Sequence, residues 1–192
     1  GGCEELMGLS LRNVQVTVFE DSRRIWSEFG EMLFTHFGLS GPLILSASAH
    51  MRHFGSKGYH IEIDLKPALD EKTLDKRLLS DFGTHKNSDF INALGGLLPR
   101  KLIPAVVRLS QIDPHAKVNG ITRQQRAALL HTLKHFLVVV SGKRPVAEAI
   151  VTSGGVSVRE VDPKTMESKK LPGLYFAGEV LDVDAYTGGF NL

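Results

Sequence analysis

Tyr59-His60-Ile61-Glu62-Ile63-Asp64-Leu65 alternates apolar and polar side chains and then stops at Pro67. Tyr59, Ile61, Ile63 and Leu65 share one face, the period of a half-buried strand. Past Pro67 the period changes to that of helices. Asp70 can cap a helix that carries Leu74, Leu78, Leu79 and Phe82 on one side. Ser88 can cap a second helix with Phe90, Ile91 and Leu94, and Pro99 opens a third with Leu102, Val106 and Leu109. Thr122 with Gln125 forms a capping-box pattern before Leu129, Leu130, Leu133 and Phe136. Strand character returns at Leu137-Val138-Val139-Val140 and at Ala149-Ile150-Val151-Thr152, and Val156 alternates with Val158 before a turn at Asp162-Pro163.

Upstream of Tyr59 the chain is also strand-like. Val14, Val16 and Val18 alternate with Gln15 and Thr17. Glu20-Asp21-Ser22-Arg23 reads as a turn. Residues 25–29 and 32–35 read as further strand, interrupted at Gly30, where a bulge or sharp bend is expected. Pro42 suits the first turn of a short apolar helix from Leu43 to Met51, with Ser40 near its cap. The order is thus strands, helices, strands, without the βαβ alternation of a complete doubly wound domain. The fold class expected is α+β: an antiparallel β-barrel-like domain over 3–67 and 137–160, with a helical subdomain over 68–136 inserted in it.

Composition is that of an ordinary globular chain of 192 residues, 42% apolar and 23% charged. No apolar run approaches the ~20 residues that span a bilayer, so no membrane partner is expected. The start, Gly1-Gly2-Cys3-Glu4-Glu5, has neither a basic nor an apolar signal-peptide region, and the single cysteine, Cys3, cannot form an internal disulfide. A reducing, cytoplasmic setting is the natural expectation. The formal charge is +2, but between Asp70 and Phe136 eleven Lys and Arg face six Asp and Glu. That mildly basic middle is a weak hint of an anionic partner and a stronger one of an ordinary solvated helical surface. Few aromatics interleave with the basic helices, so a nucleic-acid partner is not expected from the pattern.

The tail carries the chemistry. Leu174-Tyr175-Phe176-Ala177 is apolar enough for a short buried parallel strand. Gly178 lets the backbone approach a ligand, and Glu179, just past the strand end, can accept hydrogen bonds from sugar-type hydroxyls. Gly188-Gly189 then allow tight backbone approach before a helix start that can face an anion or a ring edge. On these residues alone, a sugar-phosphate cofactor and a ligand-free strand, loop and turn fit about equally.

Gly173-Leu174-Tyr175-Phe176-Ala177-Gly178-Glu179 resembles the second flavin-contacting motif of flavoproteins with two dinucleotide-binding domains. Thr152-Ser153-Gly154-Gly155-Val156, Thr165-Met166-Glu167-Ser168-Lys169, Gly178 through Asp184 to Asn191, and Gly30-Glu31-Met32-Leu33-Phe34-Thr35-His36-Phe37-Gly38-Leu39-Ser40-Gly41-Pro42 resemble more narrowly the HI0933-like family. These are bacterial NAD(P)/FAD-dependent oxidoreductases, some named aminoacetone oxidases. The resemblance implies a flavin domain interrupted by an insert with a barrel-like and a helical part. It makes 161–192 a partial FAD-binding segment, a short remnant of a Rossmann-type FAD domain. It implies FAD as cofactor, with either NAD(P)H or oxygen as redox partner. Glu179 would bind the ribityl chain. Gly188, Gly189, Phe190 and Asn191 would lie near the flavin ring and phosphates, with Gly178 beside them. Thr152, Gly154 and Gly155 would form a crossover loop beside the ring. The Gly-x-Gly-x-x-Gly unit that holds the adenine half in that family is not in this sequence. The expectation is therefore a fragment, inactive alone and not retaining FAD, whose partners are the missing FAD-binding segments and a small-molecule substrate. A docking or oligomerisation module for an anionic partner is the alternative.

Other constellations are weaker. Gly38-Leu39-Ser40-Gly41-Pro42 lacks the last glycine of a serine-hydrolase elbow. His36 ends a strand beside that turn, in reach of substrate in a complete enzyme or as a structural histidine. His131 with His135, and His50 with His53, have chelate-like spacings without placed further ligands, so no metal is expected. Trp26 and Phe29 are expected in the core or at a subunit contact, and Lys143-Arg144-Pro145 in a polar turn. No catalytic residue stands out.

Overall fold

The computed structural model describes residues 3–149 and 152–183. Its centre is a five-stranded antiparallel sheet. In chain order the strands are β1 (Ser10–Glu20), β2 (Arg23–Thr35), β3 (Gly38–Ser40), β4 (Tyr59–Asp64) and β5 (Phe136–Val140), and across the sheet they run β3-β2-β1-β4-β5. The alternation seen in the sequence sets the register. Val16 pairs with Ile63 and Val18 with Ile61, and all four are at most 1% exposed, while Gln15, Thr17 and Glu62 face outward. Each such burial is worth about 1.5–3 kcal/mol, and a slip of one residue would expose the whole set.

Two irregularities bend the long β1–β2 ribbon. Leu11 pairs with Met32 but Val14 with Gly30, which leaves an extra residue on β1. Val18 pairs with Trp26 but Phe19 with Arg24, which leaves one on β2. Gly30 is therefore not the interruption expected: β2 runs unbroken through it, and the bulge lies on the facing strand. The glycine is needed for packing, since a Cβ there would meet the Leu43 side chain at 3.2 Å.

Helix α1 (Pro42–His50) lies against β2 and buries Leu43, Ile44 and Ala47. Its cap is Gly41 at φ 92°, not Ser40, which is paired with Leu33 in β3. A Cβ on Gly41 would stand 3.1 Å from the Leu33 amide nitrogen and the Met32 Cα, so the close turn and the positive φ both select glycine.

The helices α2 (Glu71–Thr84), α3 (Phe90–Ala93), α4 (Ile103–Ser110) and α5 (Arg123–Lys134) all fall between β4 and β5. Asp70 accepts from the Thr73 amide at 2.6 Å, and Thr122 and Gln125 complete a reciprocal capping box. Asp89, not Ser88, stands at the cap of α3; the Ser88 carbonyl instead accepts from the Val118 amide. Leu74, Leu78, Phe82, Phe90, Leu102, Val106, Leu129 and Leu133 are buried and join the sheet residues in one continuous core. Leu79 and Leu109, expected on the buried faces, are each 48% exposed.

The helices join the sheet at one tight point. The Leu65 amide donates to the Leu133 carbonyl at 2.9 Å. Lys134 reaches Asp64 at 2.5 Å and donates to the Leu69 carbonyl at 2.8 Å. Ile63 and Phe136, which flank this knot, are paired in the sheet.

The tail departs most from expectation. Residues 174–177 do not form a buried parallel strand. Tyr175 makes a single antiparallel bridge to Glu167 and is 59% exposed, and Leu174 is 39% exposed. A parallel strand needs both faces covered and parallel neighbours, whereas among the described residues this segment pairs antiparallel with 166–168. Nor are Ala149 and Thr152 in a strand; Ile150 and Val151, the middle of that expected element, lie outside the described residues. Val158–Glu160 is a short 3-10 turn rather than strand.

Candidate functional site

The sheet is open: β3 and β5 are its two edges. Between them lies a groove of about 1360 Å³, walled by β3 with α1 on one side and by β5 with the segment after it on the other. Phe34, Ile61 and Phe136 form part of its floor. Phe34 and Phe136 meet edge to face, with ring centroids 6.5 Å apart. The β5 wall is apolar on both faces: Phe136 is buried in the core, whereas Leu137 is 52% and Val139 75% exposed.

His36 sits in the β2–β3 turn at the rim of the groove, its ring edge-on to Phe37 at 5.0 Å. Arg144 also packs on Phe37, 4.8 Å from the ring centroid, and is held there by two bonds to Glu148 at 2.9 and 2.7 Å. Lys143-Arg144-Pro145 is thus more than a polar turn. It lays a guanidinium on an aromatic face across the two edges of the sheet, worth about 0.5–1 kcal/mol where exposed. Lys143, Arg52 and Arg108 also line this space, as do Glu4 and Glu148, so its rim carries both signs with cations in excess and its floor is apolar.

Thr152, at the end of the described part of this wall, belongs to the groove lining. From there the chain returns to the tail. The Val156 amide donates to the Val180 carbonyl at 2.8 Å, and the Asp182 amide donates to the Val156 carbonyl at 2.9 Å, a parallel bridge between Val156 and Leu181. Gly155, at φ 139°, packs directly on residues 180–182; a Cβ would stand 3.1 Å from the Asp182 nitrogen and closer still to the Val180 oxygen. The structure therefore brings Gly155 against the end of the turn Gly178–Val180, in which Glu179 lies. Gly154 (φ 110°) and Gly178 (φ 75°) have open space where a Cβ would be, and Glu179 is exposed. Gly188, Gly189, Phe190 and Asn191 lie outside the described residues.

The histidine pairs serve local bonds. His131 stacks on His135 at 4.8 Å, and the His135 Nδ1 meets Glu62 at 3.0 Å. His50 stacks on Trp26 while His53 meets Glu20 at 3.1 Å, so these two rings have different partners. Among the described residues no cluster of three or more metal-ligating side chains forms. Trp26 is in the core and Phe29 on the outer face, 55% exposed. No helix of the described residues is long and apolar enough to cross a membrane.

The groove itself is not legible in the sequence, because it joins residues about a hundred positions apart. The one local signal is the apolar run of β5, too apolar for a strand with one face in water.

Residues 2–151 match the model of the HI0933-like protein barrel and H2TH domain, and the chain belongs to this family. Among curated proteins it is 35% identical, over 98% of its length, to the ribosomal RNA dihydrouridine synthase of Escherichia coli, of which it covers 44%. It is 32% identical over 86% of its length to the Haemophilus influenzae protein of that name, covering 39% of it. It is 30% identical over 85% of its length to the 3-dehydro-bile acid delta(4,6)-reductase of Clostridium scindens, covering 40%. The chain thus spans less than half the length of these relatives, all of which are named as enzymes.

Proposed function

We propose that this chain is the insert of an FAD-dependent oxidoreductase, and that it walls the substrate space of a reductase acting on a carbon–carbon double bond conjugated to a carbonyl. The two kinds of relative suggest the reaction class. A dihydrouridine is a uridine whose ring double bond, conjugated to a ring carbonyl, has been saturated. A 3-dehydro delta(4,6) bile acid carries double bonds conjugated to its 3-keto group. Both are electron-poor alkenes that accept a hydride at the carbon β to the carbonyl and a proton at the α carbon.

When bound, reduced FAD would supply that hydride, with NAD(P)H restoring the reduced cofactor. The described residues fit such a group: Gly154 and Gly178 leave their backbone open to close approach, and Glu179 presents an exposed carboxylate for ribityl hydroxyls. Gly155 packs at the end of that turn, Thr152 would lead the crossover loop toward it, and Gly188, Gly189, Phe190 and Asn191 would complete the ring and phosphate contacts. The bare face of Leu174 and Tyr175 would be covered by the other FAD-binding segments as a Rossmann-type sheet. The groove would seat the substrate ring on Phe34 and Phe136, with Arg144 and Lys143 toward any phosphate it carries.

The observation that carries this reading is the meeting of the Gly154-Gly155 loop with the Glu179 turn at the far end of the segment that lines the groove. The match to the Escherichia coli dihydrouridine synthase, over 98% of the chain against 85% for the reductase, favours a uracil of ribosomal RNA over a steroid as substrate. The test is to purify the longer polypeptide that contains this chain, measure bound flavin by absorbance, and incubate it with NADPH and unmodified ribosomal RNA. Stoichiometric FAD and nucleosides heavier by two hydrogens in mass spectrometry are expected. A colourless protein overturns the cofactor. A yellow protein that leaves RNA unchanged but saturates a 3-keto conjugated steroid overturns the RNA substrate.

A further inference from the structure

We infer that the seam between α2 and α5 is a docking surface for the phosphate backbone of folded RNA, and that Lys72, Lys76 and Arg123 make its contacts. The inference rests on the proposed RNA substrate and adds a second site, away from the groove.

Charge pairing in the helical part is uneven. Asp75 is bonded to Arg126, Asp81 to Arg77 and Asp89 to Lys117. Asp70 is spent on the α2 cap, and Asp113 accepts from the His115 amide. Arg108 is paired with Glu5, and Lys134 with Asp64. Lys72, Lys76 and Arg123 are exposed and, among the described residues, make no ion pair; Glu71 and the Asp70 carboxylate, which acts on Lys72, offset them only in part.

Lys86, Arg100 and Lys101 are also exposed and, among the described residues, in no ion pair, but only Lys72, Lys76 and Arg123 of these six lie on α2 and α5. The bond between Arg126 and Asp75, at 2.6 Å and partly buried, clips α5 to α2. Lys72 lies one turn before Asp75 on α2, Lys76 is the residue after it, and Arg123 lies one turn before Arg126 on α5. All three therefore flank a single fixed crossing between two helices. The helices run antiparallel, since Lys134 at the end of α5 bonds to Leu69 before the start of α2. The cations are spread along the seam rather than concentrated at a point, as the phosphates of a strand are.

The surface also lacks what single-stranded RNA would need. No Phe, Tyr or Trp side chain is exposed on α2 or α5, so an unstacked base has no broad platform there. Cations without such platforms read phosphates and shape, the mode suited to a base-paired stem. A stem held here would leave a loop nucleotide free to enter the groove.

The experiment is fluorescence anisotropy of the 192-residue chain with a labelled, deproteinised ribosomal RNA hairpin, at several salt concentrations and without flavin. The comparison is K72Q/K76Q/R123Q against R12Q/R23Q/R24Q, which removes equal charge from the sheet. The first triple should weaken binding about tenfold or more and flatten the logarithmic salt slope by about 2.7 units, the share of three duplex phosphates. The second should bind like wild type, and both should melt like wild type. Equal losses in the two triples, or no binding of the hairpin by wild type, would overturn the inference. Since no turnover or flavin is read, these outcomes are separate from failure of the reductase assay.

Discussion

Gly155 rests against the backbone of Val180, so closely that the glycine cannot carry even a methyl group without moving that segment. At φ 139° it is also in a region that L side chains rarely adopt. Gly155→Ala is expected to part the Val156–Leu181 bridge at a local cost of about 1–3 kcal/mol. Amide exchange at Val156 and Asp182 should accelerate while the sheet and helices melt as before. If the longer polypeptide binds FAD as proposed, the same change should weaken that binding. Unchanged exchange at both amides would show that the crossover is held by something else.

Lys134 ties the end of α5 to Asp64 and to the carbonyls of Lys66 and Leu69. Its side chain is 13% exposed and that of Asp64 19%. Replacing it by methionine keeps the length but strands a mostly buried carboxylate, which should lower stability by about 2–4 kcal/mol in urea unfolding. The double change Lys134→Met with Asp64→Leu should recover much of that loss. No recovery would mean that the carbonyl bonds, not the ion pair, matter most.

Gly41 joins β3 to α1 under the groove wall. Gly41→Ala combines a positive φ with a clash against Met32 and Leu33, and about 2–4 kcal/mol of destabilisation is expected. Gly38→Ala, also at positive φ but with open space around it, should cost less. Thermal melts of the two variants compare them directly.

Acid should destabilise the fold through several carboxylates. Glu20 is held below its usual range by the hydroxyl of Tyr59 and the ring of His53. Asp21 is held down by Lys57 and the Gly58 amide, and Asp89 by Lys117 and His115. Each binds its proton less readily folded than unfolded. Their contribution is whole above the unfolded carboxylate range, about pH 4, and is lost as pH falls below it. Lys57 is shifted up by Asp21, so that pair weakens again in strong alkali, as pH rises past the ordinary lysine range. Urea midpoints between about pH 7 and pH 3 should fall, and less steeply in a Glu20→Gln, Asp89→Asn variant.

Much of the scaffold was legible in the sequence because each element is set by short-range pattern. The alternation of Tyr59 to Leu65, the Asp70 cap and the Thr122 capping box each depend on residues within a turn or two. The errors fell where a distant neighbour decides. Ser40 has the chemistry of a cap, but the pairing of β3 with β2 leaves that place to Gly41. Gly30 has the look of a break, but Leu43 of α1 packs on it and the strand runs through. Leu174 to Ala177 has the composition of a buried strand, but burial is a property of what lies on either side. For the site, the structure packs Gly155 on residues 180–182, whereas the groove between β3 and β5 follows from sheet order, which no local pattern encodes.

Because β4 and β5 are neighbours in the sheet, the polypeptide leaves for its helical excursion and comes home at the same doorstep. Such an excursion can change at its outer turns without altering how the strands align, whereas its inner faces share the core of the sheet and are bound to it. The outward surface is thus free to diverge while the five strands keep their order.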